Sequence, residues 1–321
     1  MAPRASRLGA AAMGLLLTVS VAGCGDDDEP TAQPAPAASS ASPSAAALSE
    51  VTISGIDYGY TVSKPEITTG LTRVTFKNDG KDMHMLAVGE LKPGKTAADV
   101  STALKTPDEK DDATVFVNVN ADEPNVAGEP DILTAGAQVT TYMEFKKAGT
   151  YALVCFFPVA GAAPAGPDAP PPSHYERGMI NQIVVTDPVG TPAAPPTTPL
   201  EATIADGKVT MPAGFTGTGL VKVTNTGKKD HLLLIAKVDE GKTFQQLSDF
   251  VDKYFQGQEK LENMPGEFWG GIAGLAPGES ALWDAALPPG SYYAKCTESD
   301  AEGEGQEHYR SAGEIVAFTV A

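Results

Sequence analysis

The chain repeats itself, and that repetition limits its possible folds more than any other feature. VTFKNDGKDMHMLAVGELKPGKT, starting at Val74, aligns without a gap on VKVTNTGKKDHLLLIAKVDEGKT, starting at Val221; Asn, Gly, Lys, His and a closing Gly-Lys-Thr coincide. A second block agrees further on, GTYALVC ending at Cys155 and GSYYAKC ending at Cys296. Agreement in two separated blocks is hard to obtain by chance, so two copies of one folding unit are expected. Each copy is built of short alternating apolar stretches, such as Val51 to Ile53, Val74 to Phe76, Val139 to Met143 and Ile183 to Val185, separated by Gly and Pro. Burial with period two and frequent turns predicts an all-β fold, two sandwiches in tandem. One helix per copy interrupts the strands, starting at Thr96 and at Thr243. Thr243 with Gln246 makes a capping box, and Phe244, Leu247, Val251 and Tyr254 recur at helical spacing.

The ends of the copies set the boundaries. Residues 49–187 and 200–321 hold the two units, and the stretch from Pro188 to Pro199, PVGTPAAPPTTP, reads as a stiff extended linker. Ahead of them, Arg4 and Arg7 precede an apolar run from Leu8 to Val21 that ends in Val21-Ala22-Gly23-Cys24, the layout of a signal peptide over residues 1–23. The ending resembles a bacterial lipobox, which implies a lipidated Cys24 and a chain anchored to the outer face of a cell membrane. From Cys24 to Leu48 the sequence is Asp, Pro, Ala and Ser with almost nothing to bury, and is expected to be a disordered tether. The formal charge of −18 becomes −20 without residues 1–23, which disfavours nucleic acid as a partner.

With Cys24 assigned to export, two cysteines and four histidines remain, and they sort by copy. The first copy holds His84, Cys155, His174 and Met179; the second holds His231, Cys296 and His308. A histidine, a distant cysteine, then a second histidine with a methionine close behind is the ligand order of a mononuclear copper site. Met83 and Met85 flank His84, but in a strand both thioethers would leave the face that His84 uses, and they are expected to pack. An exported thiol without burial or a metal would be exposed to oxidation, so Cys155 and Cys296 are expected to be shielded. Tyr151 and Tyr292, each four residues before its cysteine, are expected to tie their hydroxyls to nearby backbone.

In Gly149, Tyr151, Cys155, Pro158, His174, Gly178 and Met179, followed by the alternating run Ile180 to Val185, the first copy resembles the cupredoxins, plastocyanin-like domains in particular. The resemblance implies Greek-key sandwiches, with His84 and His174 as imidazole ligands, Cys155 as thiolate and Met179 as a long axial thioether. It implies one-electron transfer or copper handling, with a redox protein or copper acceptor as partner. Two departures stand out. PVAGAAPAGPDAPPPS is inserted before His174, and in the second copy the position matching Met179 is Gly313 behind an acidic loop, so that copy reads as degenerate.

Multicopper oxidases and copper nitrite reductases are also built from repeated cupredoxin domains, but their catalytic copper takes extra histidines in His-x-His or His-Cys-His pairs. With four histidines and neither pair, the chain is expected not to be an enzyme. A Cys-His hydrolase would need an orienting group and an oxyanion site that nothing here marks. A metal-free tandem module for binding or adhesion is the alternative from another class. With copper bound, electron carriage and copper delivery both remain open.

Overall fold

The computed structural model describes residues 48–104, 114–117, 125–159, 161–162, 171–189, 193–197, 200–206, 208–255, 258–298 and 315–321; Cys24 with the expected signal peptide, nearly all the tether, His308 and Gly313 lie outside them. The first repeat forms β1 (Ser49–Ile56), β2 (Gly59–Val62), β3 (Glu66–Thr68), β4 (Gly70–Asn78), β5 (Ala87–Glu90), α1 (Ala97–Ala103), β6 (Val126–Ala127), β7 (Glu129–Pro130), β8 (Gln138–Phe145), β9 (Gly149–Val154) and β10 (Ile180–Thr186). The second forms β11 (Leu200–Ala205), β12 (Lys208–Thr210), β13 (Thr218–Asn225), β14 (His231–Val238), α2 (Phe244–Phe255), β15 (Gly266–Leu275), β16 (Ser280–Ala286), β17 (Gly290–Glu298) and β18 (Ile315–Val320). Among the described residues the protein is mainly β, with α1 and α2 as short helices. None of the described helices is long and apolar enough to cross a membrane.

Alternation in sequence becomes alternation in burial. Thr72, Val74, Phe76 and Asn78 of β4 point inward, as do Val221, Val223 and Asn225 of β13. In each repeat the first strand runs parallel to a later one, β1 to β4 and β11 to β13, and carries its hairpin partner, β2 or β12, antiparallel on the other edge. The recurrence extends to single hydrogen bonds. Asn78 donates from Nδ2 to the carbonyls of Asp82 (2.7 Å) and Leu133 (2.9 Å) and accepts from Gly80 N–H (3.0 Å). Asn225 donates to Lys229 (2.8 Å) and Leu275 (2.7 Å) and accepts from Gly227 N–H (2.8 Å). Tyr151 and Tyr292 donate to the carbonyls of Lys147 and Pro288, both at 2.8 Å, the backbone ties expected of them.

The sheets do not stop at the repeat boundary. A nine-stranded sheet runs β12-β11-β13-β16-β8-β4-β1-β2 with β6 paired to β8, and its two repeats meet where Thr140, Thr141 and Tyr142 face Asp284, Trp283 and Leu282. Arg73 to Asp284 (2.7 Å) and Lys146 to Glu279 (2.8 Å) are ion pairs between the repeats. The other two sheets are a four-stranded one of the first repeat, β3-β10-β9-β5, and a five-stranded one, β18-β17-β14-β15-β7, whose last strand comes from the first repeat. Val74, Phe76, Leu153 and Ile183 of one repeat and Val221, Leu233 and Trp283 of the other belong to a single hydrophobic cluster.

Both helices start where the sequence places them. Thr96 and Asp99 form a capping box on α1, which covers Ala152 and Val154 with Val100 and Ala103. On α2, Gln246 accepts from Thr243 N–H (2.9 Å) and donates its own N–H to Thr243 Oγ1 (3.3 Å). Its buried stripe is Phe244, Leu247, Phe250, Val251 and Tyr254. Tyr254 stacks on Phe157 of the first repeat at 6.2 Å between ring centres, so α2 reaches the loop that follows Cys155.

Candidate metal centre

His84, Cys155 and His174 come from three separate segments and converge. His84 follows β4 and is held by reciprocal backbone bonds to Leu133, His84 N–H to Leu133 O at 3.0 Å and Leu133 N–H to His84 O at 2.9 Å. The far side of this segment is tied to the second repeat, Gly270 N–H to Ile132 O at 3.0 Å. Cys155 directly follows β9, and its N–H reaches Met179 O at 3.2 Å.

His174 returns despite the inserted residues because both ends of the insertion are stitched together. Val159 N–H donates to Pro172 O (2.8 Å), His174 N–H donates to Phe157 O (2.7 Å), and Pro158 bridges Ser173. Ser173 and Glu176 cap a 3-10 turn, His174–Arg177, and Gly178 ends it with φ 109°, a left-handed backbone suited to glycine. That turn lets Met179 N–H reach His174 O at 3.0 Å.

All three donor side chains are fully buried, and their ligating atoms lie within 4.8 Å of one another. His84 Nδ1 and His174 Nδ1 are 3.0 Å apart, and Cys155 Sγ is 3.5 Å from His174 Nδ1. The outer nitrogens face carboxylates: Asp57 Oδ1 stands 3.6 Å from His84 Nε2, and Asp82 Oδ2 stands 3.5 Å from His174 Nε2. Neither Nε2 makes a hydrogen bond. The N–H groups of Lys81 and Asp82 converge on Asp57 Oδ1 at 2.7 and 3.4 Å, and the Lys81 bond leads in holding that carboxyl below its usual range.

Burial, with His174 second, pulls His84 down to about 4, and burial pushes the Cys155 thiol up to about 11. Without a cation, then, the pocket favours a neutral His84 and a protonated sulfur. Two imidazole nitrogens and a sulfur crowded in one dry pocket, with carboxylates behind the outer nitrogens, fit a soft metal bound at Nδ1, Nδ1 and Sγ.

Met179 is buried beside them. A Cβ on Gly55 would sit 3.2 Å from Met179 Cε and 3.2 Å from His84 Cδ2, so this glycine leaves the space that both side chains use. Met83 is buried in the core and Met85 packs against it.

The second set is arranged differently. Cys296 is buried and faces Leu233 across β14 and β17. His231 is buried, and its Nε2 is engaged outside any donor cluster, accepting from Asp206 N–H at 2.8 Å and lying 3.4 Å from Asp206 Oδ1. Among the described residues, His84, Cys155 and His174 are the one group of three or more such donors. Sequence reasoning missed Asp57, Asp82 and Gly55. A signal for Asp57 exists, since it aligns with Asp206 two residues past the strand position opposite Asn78 or Asn225.

No family model matches the chain, and no curated protein matches it. Several solved structures are similar to it. Dithionite-reduced auracyanin from the photosynthetic bacterium Roseiflexus castenholzii is 19% identical, covering 44% of this chain and 99% of its own, with a TM-score of 0.27. A multicopper oxidase is 12% identical over 85% of this chain and 88% of its own, with a TM-score of 0.22. Copper nitrite reductase from Nitrosomonas europaea is 12% identical over 86% of this chain and 94% of its own, with a TM-score of 0.22. The last two correct the expectation that the chain is not an enzyme: counting histidines does not set it apart from proteins of enzyme type, because such proteins are among the structures it is similar to. Fold and site together define a mainly β protein with a buried donor set of two histidines and one cysteine.

Proposed function

We propose that the chain is a copper protein of cupredoxin type, two Greek-key sandwiches derived by tandem duplication, with one copper site in the first repeat. His84, Cys155 and His174 would hold the ion, with the Met179 thioether as a further donor. The observation that carries this reading is the approach of two Nδ1 atoms and one Sγ to within 4.8 Å in a pocket closed to solvent. Bound copper would supply a one-electron couple between Cu(I) and Cu(II).

The chain's own residues do the rest. Cys155 gives up its thiol proton on loading, since the ligand is the thiolate. Asp57 and Asp82 stand where each imidazole keeps its proton at Nε2 and offers Nδ1 inward. Backbone ladders on both sides of His84 and His174 keep the donors in place through a change of charge. Full burial of both histidines favours retention of the ion, hence electron transfer over delivery.

The test is titration of the purified chain with Cu(II). An intense visible band from thiolate charge transfer is expected, absent in Cys155→Ser and preserved in Cys296→Ser. A colourless protein whose Cys155 still reacts with thiol reagents after copper addition would reject the reading in favour of a metal-free module. We further propose anchoring through lipidated Cys24 on the outer face of the membrane, with a redox protein as partner. Membrane-bound chain should become soluble in Cys24→Ser, and unchanged membrane association would refute the anchor.

A further inference from the structure

His84, Cys155 and His174 are each 0% exposed, so an ion bound there has to pass a wall of the pocket. Three walls are fixed by the rest of the molecule. Leu133 bridges His84 on one side and Trp269 of β15 on the other, and Thr134 N–H continues that ladder to Phe268 O at 3.0 Å. Beyond Cys155, Phe157 is buried against Tyr254, which stacks in turn on Phe250 at 6.1 Å between ring centres. Met179 is fully buried.

The fourth wall is the two-residue turn between β1 and β2, which faces both imidazoles. Asp57 Oδ1 stands 3.6 Å from His84 Nε2, and the Tyr58 ring meets the His174 ring edge-on at 5.4 Å between centres. Tyr58 is 38% exposed, so its ring lies between a buried donor and the surface. The exposed ring of Phe156 turns instead to Tyr175, which packs on the cluster under α1. The backbone of the turn is costly: Tyr58 has φ 66°, a left-handed conformation that bulky residues rarely adopt. Among the described residues the one other non-glycine with positive φ is Asp206, in the matching turn of β11 and β12. There the sequence reads Asp206-Gly207, a pair such turns favour; the first repeat keeps the aspartate and has tyrosine for the glycine. Strain retained where glycine would relieve it points to a task for the ring.

We propose that the Asp57–Tyr58 turn is the entrance to the donor pocket and that the Tyr58 ring is its cover, setting how fast a copper ion or a small reagent reaches His174 and Cys155. This role rests on the copper reading proposed above. An edge-to-face contact of one ring on another is weak enough to open locally, while the walls laddered or stacked onto the second repeat stay shut. Asp57 and Asp82, whose carboxylates face the outer nitrogens of the two imidazoles, draw the incoming cation to this side.

The experiment compares the full chain with Tyr58→Gly, which takes the residue of the second repeat at this turn, and with Tyr58→Phe, which keeps the ring. In the copper-free protein, N-ethylmaleimide should label Cys155 about tenfold faster in Tyr58→Gly, the upper scale of one ring contact, and at the wild-type rate in Tyr58→Phe. Labelling of each cysteine is read by peptide mass spectrometry, and buried Cys296 should react equally slowly in all three. After rapid mixing with Cu(II), the thiolate band should grow faster by a similar factor in Tyr58→Gly and reach the same final intensity. Unchanged rates in Tyr58→Gly, equal acceleration in Tyr58→Phe, or Cys296 labelling that rises in step with Cys155 would each overturn the inference while the copper reading stands. A wild-type chain that never develops the band would overturn the copper reading, and the part of the turn in metal entry with it.

Discussion

Gly55 shows how one missing side chain can shape the site. An alanine there would press its Cβ to 3.2 Å from both His84 Cδ2 and Met179 Cε, tighter than ordinary packing allows. Gly55→Ala is expected to weaken copper binding about tenfold and to cost the metal-free fold about 1–2 kcal/mol by overpacking. Ile204→Ala, at the equivalent position of the second repeat, should cost about 2–4 kcal/mol through a cavity and leave copper affinity alone. Chelator competition and urea unfolding of both variants check this; equal losses of affinity would refute the assignment of Gly55 to the site. The donors that converge, His84, Cys155 and His174, were legible in the sequence because their side chains carry the chemistry and each has a counterpart in the second copy. Gly55 was not, since its contribution is an absence that matters only once β1 lies over the end of β4 and the His84 segment.

The elements around the site act through their ends. Asn78 closes β4 by bonding the carbonyls of Asp82 and Leu133, the two segments that place Asp82 and His84. Asn225 makes the same bonds in the second repeat, where no metal is proposed. Each asparagine is buried, and losing its bonds should cost about 2–3 kcal/mol in either repeat. Asn78→Ala should also lower copper affinity, whereas Asn225→Ala should not. Stability curves paired with copper titrations of the two variants check the contrast, and an Asn78→Ala protein with native affinity would count against a role for this clamp.

At this scale the strands and both helices were readable, because alternation and capping boxes are local signals. The join of β8 to β16 was not. Thr140 and Thr141 carry no mark of a partner so far along the chain, and Thr141 is buried against Trp283 only in the assembled sheet.

Across the whole molecule, Glu129 stands where the repeats meet. Its backbone pairs with Ala273 of β15 in the second repeat, and its Oε1 accepts from Val88 N–H of β5 in the first at 2.6 Å. Burial pushes this carboxyl up to about 8, against the weaker opposing effect of the Val88 bond. The sign follows from proton counting. Between pH 4.5 and about 8 the folded chain holds a proton at Glu129 that the unfolded chain has released, so stability from this group falls as pH rises through that window and is level above it. Glu129→Gln keeps an acceptor for Val88 and removes the ionisation. Its urea midpoint should match the wild type near pH 4 and exceed it near pH 8, with the gap opening between those values. Midpoints that stay parallel across the range would show that Glu129 keeps an ordinary carboxyl, and that the junction between the repeats carries no charge-dependent strain.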